Sequence, residues 1–185
     1  NSPGGSVSAS YKLYKIIDNF SKKNSIPIYF HTNELMASGA YWAALSGNKI
    51  FANYGSLIGS IGVSGPEWIF FDEPFSMSKG VFGNAIETKN GIKQFNNIAG
   101  KSKDLFNSFR APTEKELNEL KNITKRIYLD FIYSVEKNRK IESNIIINEI
   151  GAMIFDSKTA KEKFLIDQIA SLQKTIMIMA DDLSF

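Results

Sequence analysis

Glu34-Leu35-Met36-Ala37-Ser38-Gly39-Ala40-Tyr41-Trp42-Ala43-Ala44-Leu45 joins a strand-like run to a helix-like one, with a serine among small residues at the junction. The preceding residues 26–32 are β-branched and aromatic, and the run from Ala40 to Leu45 has the alanine and leucine content of a buried helix. Ser38 is therefore expected at a strand-to-helix turn. A side-chain oxygen placed there lies beside the free N–H groups of a helix start, where the dipole favours negative charge on an attacking oxygen or a tetrahedral intermediate. The small neighbours Ala37, Gly39 and Ala40 let another backbone come close. Serine is also among the best N-cap residues, and the local pattern by itself favours that plainer reading.

The rest of the composition narrows the choices. With 185 residues and 43% hydrophobic content the chain can bury a full core, and no stretch looks like a linker, so a single α/β domain over residues 1–185 is expected. A net charge of +3, spread over helices that mix lysine with acidic residues, gives no focused patch for nucleic acid. The lack of cysteine excludes disulfides, thiol catalysis and cysteine metal sites. No run reaches the roughly 18 apolar residues of a membrane span. The chain opens at Asn1 without an initiator methionine, and an upstream strand and a membrane anchor outside it are expected.

Working outward, Asn1-Ser2-Pro3-Gly4-Gly5-Ser6 reads as a tight turn feeding a helix from Val7, with Leu13, Tyr14, Ile16, Ile17 and Phe20 at helical spacing until Lys22-Lys23-Asn24-Ser25. Such a glycine turn is either ordinary or a presenter of N–H groups to an oxyanion. Beyond the Ser38 helix, residues 49–52 suit a buried strand. In Gly59-Ser60-Ile61-Gly62-Val63 the glycines permit close approach of a second backbone, either a peptide lying along an edge strand or a neighbouring strand of the same sheet. Trp68-Ile69-Phe70-Phe71 is aromatic without clear period, and residues 91–95 read as another strand. Thr113 and Glu116 stand at capping-box spacing before a long helix with Leu117, Leu120, Ile123, Ile127, Phe131, Ile132 and Val135 as its stripe. Helices are expected over 144–150, 157–163 and 171–180, with Ile154-Phe155 and Leu165-Ile166 as short extended pieces.

Histidine chemistry has little room here. The single histidine, His31, lies in the strand-like run just before Ser38, so a Ser-His-Asp triad and a histidine metal cluster both fail, and His31 reads as structural. No metal or cofactor is expected. A nucleophilic serine still needs a base, and the remaining candidate is a lysine neutralised by burial. Composition thus favours a Ser-Lys pair without saying which lysine.

Five motifs occur in order: Ser2-Pro3-Gly4-Gly5; Met36-Ala37-Ser38-Gly39-Ala40-Tyr41; Gly59-Ser60-Ile61-Gly62-Val63; Gly100-Lys101-Ser102-Lys103-Asp104; and Ala160 followed by Leu165-Ile166-Asp167. Over nearly the whole chain they resemble the signal peptide peptidase A family of serine proteases. The resemblance implies an α/β fold like that of the Clp protease proteolytic subunit and the crotonases, a repeated β-β-α superhelix with C-terminal helices. It implies Ser38 as nucleophile, Lys103 as general base, Ser60 as the residue that helps orient the lysine amine, and Gly5 and Gly39 as the oxyanion-hole amides. Gly59, Ile61, Gly62 and Val63 would line a bound peptide. It further implies an enzyme associated with a membrane through a segment absent from this chain, acting outside the cytoplasm, facing the periplasm or cell exterior, on remnant signal peptides. Such an enzyme is a homo-oligomeric ring in which the lysine can come from an adjacent protomer. A crotonase-like hydratase or acyl hydrolase, and an inactive ring-forming scaffold, are the competing readings. Residues 73–90 give no clear alignment to the family pattern.

Overall fold

The apolar runs of the first sixty residues form short strands that alternate between two sheets in a computed structural model, which describes residues 1–72 and 94–183. In chain order these are β1 (Tyr29–Thr32), β2 (Leu35–Ala37), β3 (Lys49–Ala52) and β4 (Leu57–Gly59), followed much later by β5 (Ile154–Asp156) and β6 (Gln168–Ile169). One sheet has the order β1-β3-β6 with all pairs parallel; the other has β2-β4-β5, parallel between β2 and β4 and antiparallel between β4 and β5. Parallel neighbours need a crossover, and α2 (Gly39–Ala44) supplies part of it. Mixed α/β architecture is thus observed, with the β-β-α succession visible in β1-β2-α2.

The backbone divides into two units, residues 1–63 with 125–185 and residues 64–124. In the first, the core is built on α2 and the later half of α3 (Glu114–Arg139). Trp42 stacks on Phe131 with centroids 4.5 Å apart, and its indole N–H donates to Ser134 Oγ at 3.0 Å. Tyr41 is fully buried and donates its hydroxyl to the Leu165 carbonyl at 2.7 Å; burial raises that phenol well above its ordinary pKa, so it stays a donor. Leu165 and Ile166 are apolar because they are buried, not because they are extended: they lie in a turn, and the strand expected there forms instead at Gln168–Ile169. Asp167 locks that turn to β3. Its carboxylate accepts from Ile50 N–H at 2.6 Å and from both arms of Arg139, whose Nε also donates to the Phe164 carbonyl.

Helix α1 (Val7–Asn24) has the expected ends. Ser6 caps it by accepting from Ala9 N–H, and Ser25 closes it in the left-handed region at φ 54°. Its buried face is Ser10 and Tyr14, whereas the apolar positions Leu13, Ile16 and Phe20 are each about half exposed. Helical spacing was legible, but which face packs on α2 was not. The segment expected to be helical at 144–150 is α4 (Ser143–Ile145) running into a π-helix (Ile146–Ile150) that stops at Gly151; α5 (Ser157–Glu162) and α6 (Leu172–Leu183) complete the unit. His31 Nε2 lies 3.0 Å from the Ala170 carbonyl, a structural contact. No described helix is long and apolar enough to cross a membrane.

In the second unit, Trp68 donates its indole N–H to the Asn107 carbonyl and Phe71 N–H donates to the Ser108 carbonyl, so the aromatic run packs on residues 106–109 while Ile69, Phe70 and Phe71 keep much of their surface exposed. Of the strand expected at 91–95, only Gln94 and Phe95 are described and neither is in a strand; residues 73–90 lie outside the described residues. The capping box forms as spaced: Thr113 N–H donates to Glu116 Oε2 at 2.9 Å and Glu116 N–H to Thr113 Oγ1 at 3.3 Å. Arg110 forks onto both Asp104 and Glu116.

Two expectations follow from these contacts. Tyr41→Phe leaves the buried Leu165 carbonyl without its donor and should lower unfolding stability by about 1–2 kcal/mol with an unchanged m-value in urea. Separately, the Arg110 hydrogen bonds hold the Asp104 and Glu116 carboxyls below the ordinary carboxylate range. Because the folded-state values are depressed, the pairing is fully present at neutral pH and is lost only as pH falls through those lowered values. Amide exchange at the start of α3 should stay slow at about pH 4, near the ordinary glutamate value. A loss of protection centred there would contradict the clamp.

Candidate active site

Ser38 follows β2 directly and precedes the first residue of α2, so the strand leading into it is the three-residue β2 rather than the longer apolar run that ends in β1. Its backbone adopts φ 52° and ψ −124°, a conformation that non-glycine residues avoid, and its hydroxyl makes no cap hydrogen bond. The plain N-cap reading therefore fails. The turn is held from both sides: Ser38 N–H donates to the Gly59 carbonyl at 2.9 Å, and Trp42 N–H donates to the Ser38 carbonyl at 2.9 Å. Backbone strain of this kind costs about 1–3 kcal/mol and persists only where the surroundings over-determine it. Here β4 and the first turn of α2 do so, and the half-buried side chain makes no cap hydrogen bond among the described residues.

The Pro3-Gly4-Gly5 turn lies against this elbow. Ser2 pairs in parallel with β2, donating to the Leu35 carbonyl at 2.7 Å and accepting from Ala37 N–H at 3.1 Å, and Asn1 Oδ1 accepts from Thr32 Oγ1 and from the Asn33 and Glu34 N–H groups. Two segments thus run side by side, one into Gly4 and the other into Ser38. Gly4 has φ 106°, and a Cβ there would stand 2.7 Å from Gly39 N and 2.8 Å from Ser38 Cβ. A Cβ on Gly39 would collide with Ser10 Oγ and lie 3.3 Å from Gly5 N. The Gly5 and Gly39 amides are therefore neighbours beside Ser38. Gly39 is the first residue of α2, so its N–H has no partner inside the helix. A groove of about 350 Å³ leads away from the two glycines, walled by Ala9, Leu13, Phe30, Ala40 and Ala43.

The remaining sequence-derived positions fall into two groups. Gly59, Ser60, Ile61, Gly62 and Val63 belong to the same unit as Ser38, but β4 ends at Gly59 and the expected longer strand is absent because Ser60 turns into the left-handed region at φ 53°. The backbone that comes close to Gly59 is the chain's own: β5 pairs there, and a Cβ on Gly59 would collide with the Met153 carbonyl. Ser60 N–H donates to that carbonyl at 2.7 Å, Gly62 stands against Ala152, and the Ile61 side chain is fully buried, so what these residues offer a ligand is main chain, the half-buried Ser60 hydroxyl and the half-buried Val63. Lys103 lies in the second unit, exposed, in a turn closed by its N–H on the Gly100 carbonyl and flanked by Ser102 at φ 60° and Phe106 at φ 69°. Two shaping residues escaped sequence reading. Gly4 was visible only as part of a turn, and Ser10 was a polar residue within a helix whose one signal is its spacing of four from the cap Ser6.

The strain at Ser38 is measurable. Ser38→Gly can adopt the left-handed backbone freely whereas Ser38→Ala keeps a Cβ, so after the entropic cost of glycine the Gly variant should be the more stable by about 1 kcal/mol in urea unfolding.

The sequence profile of Peptidase family S49 matches residues 20–184. A Methanocaldococcus jannaschii protein named as a protease is 30% identical over 171 residues, covering 92% of this chain and 50% of that protein. An Enterococcus faecium protein named as signal peptide peptidase SppA is 29% identical over 169 residues, covering 91% of this chain and 45% of that protein. The chain thus spans about half the length of the curated relatives it matches. Among solved structures, a membrane-bound stomatin-specific protease superposes with a TM-score of 0.53 over 96% of this chain and 65% of its own, at 15% identity, which speaks for the fold alone. With a profile match over residues 20–184, most of its length, the chain belongs to Peptidase family S49.

Proposed function

We propose that this chain is the catalytic domain of a serine endopeptidase that hydrolyses apolar peptides, remnant signal peptides among them, with Ser38 as nucleophile and Lys103 as general base. The observation that carries the reading is the Ser38 elbow: a strained serine, its hydroxyl without a cap hydrogen bond among the described residues, next to two glycine amides. Ser38 Oγ attacks the scissile carbonyl while its proton passes to the neutral Lys103 amine, and the Gly5 and Gly39 N–H groups hold the oxyanion. Collapse expels the peptide amine, which takes the proton back from the lysine ammonium. Water then attacks the acyl-enzyme with Lys103 again taking the proton, and Ser38 is regenerated. Ser60 orients the lysine amine, and the main chain around Gly59, Ile61, Gly62 and Val63 aligns the extended peptide.

The same reading extends to architecture and place. The alternation of strands between two sheets and the likeness to a protease of related fold support a Clp protease/crotonase-like superhelix of repeated β-β-α units, forming a single peptidase domain over 1–185. A homo-oligomeric ring in which a neighbour supplies Lys103 suits a lysine carried on a different unit from Ser38. Membrane association through a segment outside this chain, with the domain facing the periplasm or cell exterior, is supported by the signal peptide peptidase name of one relative.

Fluorophosphonate should label Ser38 and nothing else. Ser38→Ala and Lys103→Ala should each lower peptide cleavage at least about a thousandfold, and Lys103→Arg should be equally inert because guanidinium stays protonated. Full activity of Ser38→Ala would refute the assignment. Mixing the two alanine variants after subunit exchange should restore part of the activity when the lysine acts across an interface.

A further inference from the structure

Ser10 is a polar residue, 8% exposed, that the mechanism above does not use. It sits in the first turn of α1, on the face turned toward α2. Its hydroxyl donates to the Ser6 carbonyl at 3.0 Å, and its own N–H donates to the same oxygen at 3.1 Å. The Ser6 carbonyl, one residue beyond Gly5, is therefore held by two donors from one residue. On its other side the Ser10 oxygen fills the space in which a side chain on Gly39 would begin. One hydroxyl thus touches the first residue of α2 and binds the carbonyl of Ser6, the residue after Gly5.

We propose that Ser10 is a positioning residue that sets the spacing between the Gly5 and Gly39 amides. The inference rests on the reading of those amides as oxyanion donors. The physical case is one of distance. Charge on an oxyanion is stabilised by donors already aimed at the place where it develops, and displacement by a fraction of an ångström loses much of that stabilisation. Nothing in the two glycines themselves fixes their separation, because glycine has no side chain to pack and each belongs to a different segment. The Ser10 hydroxyl supplies the missing spacer: the Ser6 carbonyl fixes where its oxygen lies, and the oxygen fixes how near the α2 start can come. Alanine at position 10 keeps the helix and the N–H bond to the Ser6 carbonyl but removes the hydroxyl's bond to it and the fill against Gly39. Substrate binding depends on the extended main-chain contacts elsewhere, so the loss belongs in the chemical step rather than in the ground-state complex.

The experiment compares wild type, Ser10→Ala, Ser10→Thr and Ser38→Ala of the intact protein on an apolar fluorogenic peptide amide, with fluorophosphonate titration counting active sites. Ser10→Ala should lower kcat per titrated site about tenfold with KM changed less than about twofold, and Ser10→Thr, which retains the hydroxyl, should recover most of the loss. The amide resonances of Gly5 and Gly39 should shift in Ser10→Ala and lie near their wild-type positions in Ser10→Thr. Unchanged kcat in Ser10→Ala, a loss confined to KM, or unmoved glycine resonances would overturn the proposal. Retained activity in Ser38→Ala would instead refute the reading of the nucleophile, and the resonances, which need no turnover, would then decide the role of Ser10 by themselves.

Discussion

The arrangement depends on the parallel pairing of three short backbone segments, Ser2, β2 and β4, whose ends come level at Gly4, Ser38 and Gly59. Each is too short to be stable as a strand alone, and the antiparallel β5 closes the far side through Gly59 and Ile154. The level ends have a chemical consequence. They put a glycine turn, a strained serine and a helix start within one another's van der Waals reach, and a Cβ at Gly4 or Gly39 would separate them.

Strain at Ser38 is sustained because its neighbours along α2 are among the best-anchored residues of the chain. Tyr41 is tied to the Leu165 carbonyl, Trp42 to Phe131 and Ser134, and Leu45 is buried behind them. These anchors come from the carboxyl-terminal half, so the elbow is stiffened by residues more than ninety positions away. Asp167 and Arg139 add a polar lock between that half and β3. A six-residue helix would not hold a disfavoured turn by its own hydrogen bonds, given how costly helix nucleation is.

The turn that carries Lys103 follows similar logic on a smaller scale. Ser102 and Phe106 are in the left-handed region on either side of it, and a bulky residue such as phenylalanine pays for that conformation. Arg110 compensates by forking onto Asp104 within the turn and Glu116 at the start of α3, while its guanidinium lies 5.1 Å from the Trp68 ring. The capping box of Thr113 and Glu116 thus serves two ends: it starts a helix and gives the turn its anchor.

Much of this was legible in the sequence. The elbow at Ser38, the ends of α1, the strand Lys49–Ala52 and the start of α3 rest on preferences that act within about four residues: small residues, caps, helical spacing and β-branched runs. The family pattern added candidate roles for Gly5, Gly39, Ser60 and Lys103. What the sequence by itself did not determine was the left-handed backbone of Ser38, the separate identity of β2, the partner that approaches Gly59, the face of α1 that is buried, and the irregular course of Leu165 and Ile166. Each of these is decided by residues distant in sequence, such as Ser2 on Met36, Met153 on Gly59 and Leu165 on Tyr41. Local propensity encodes what a segment can become; only tertiary pairing fixes which of its hydrogen bonds and faces are used, because those partners do not exist until the chain has folded around them.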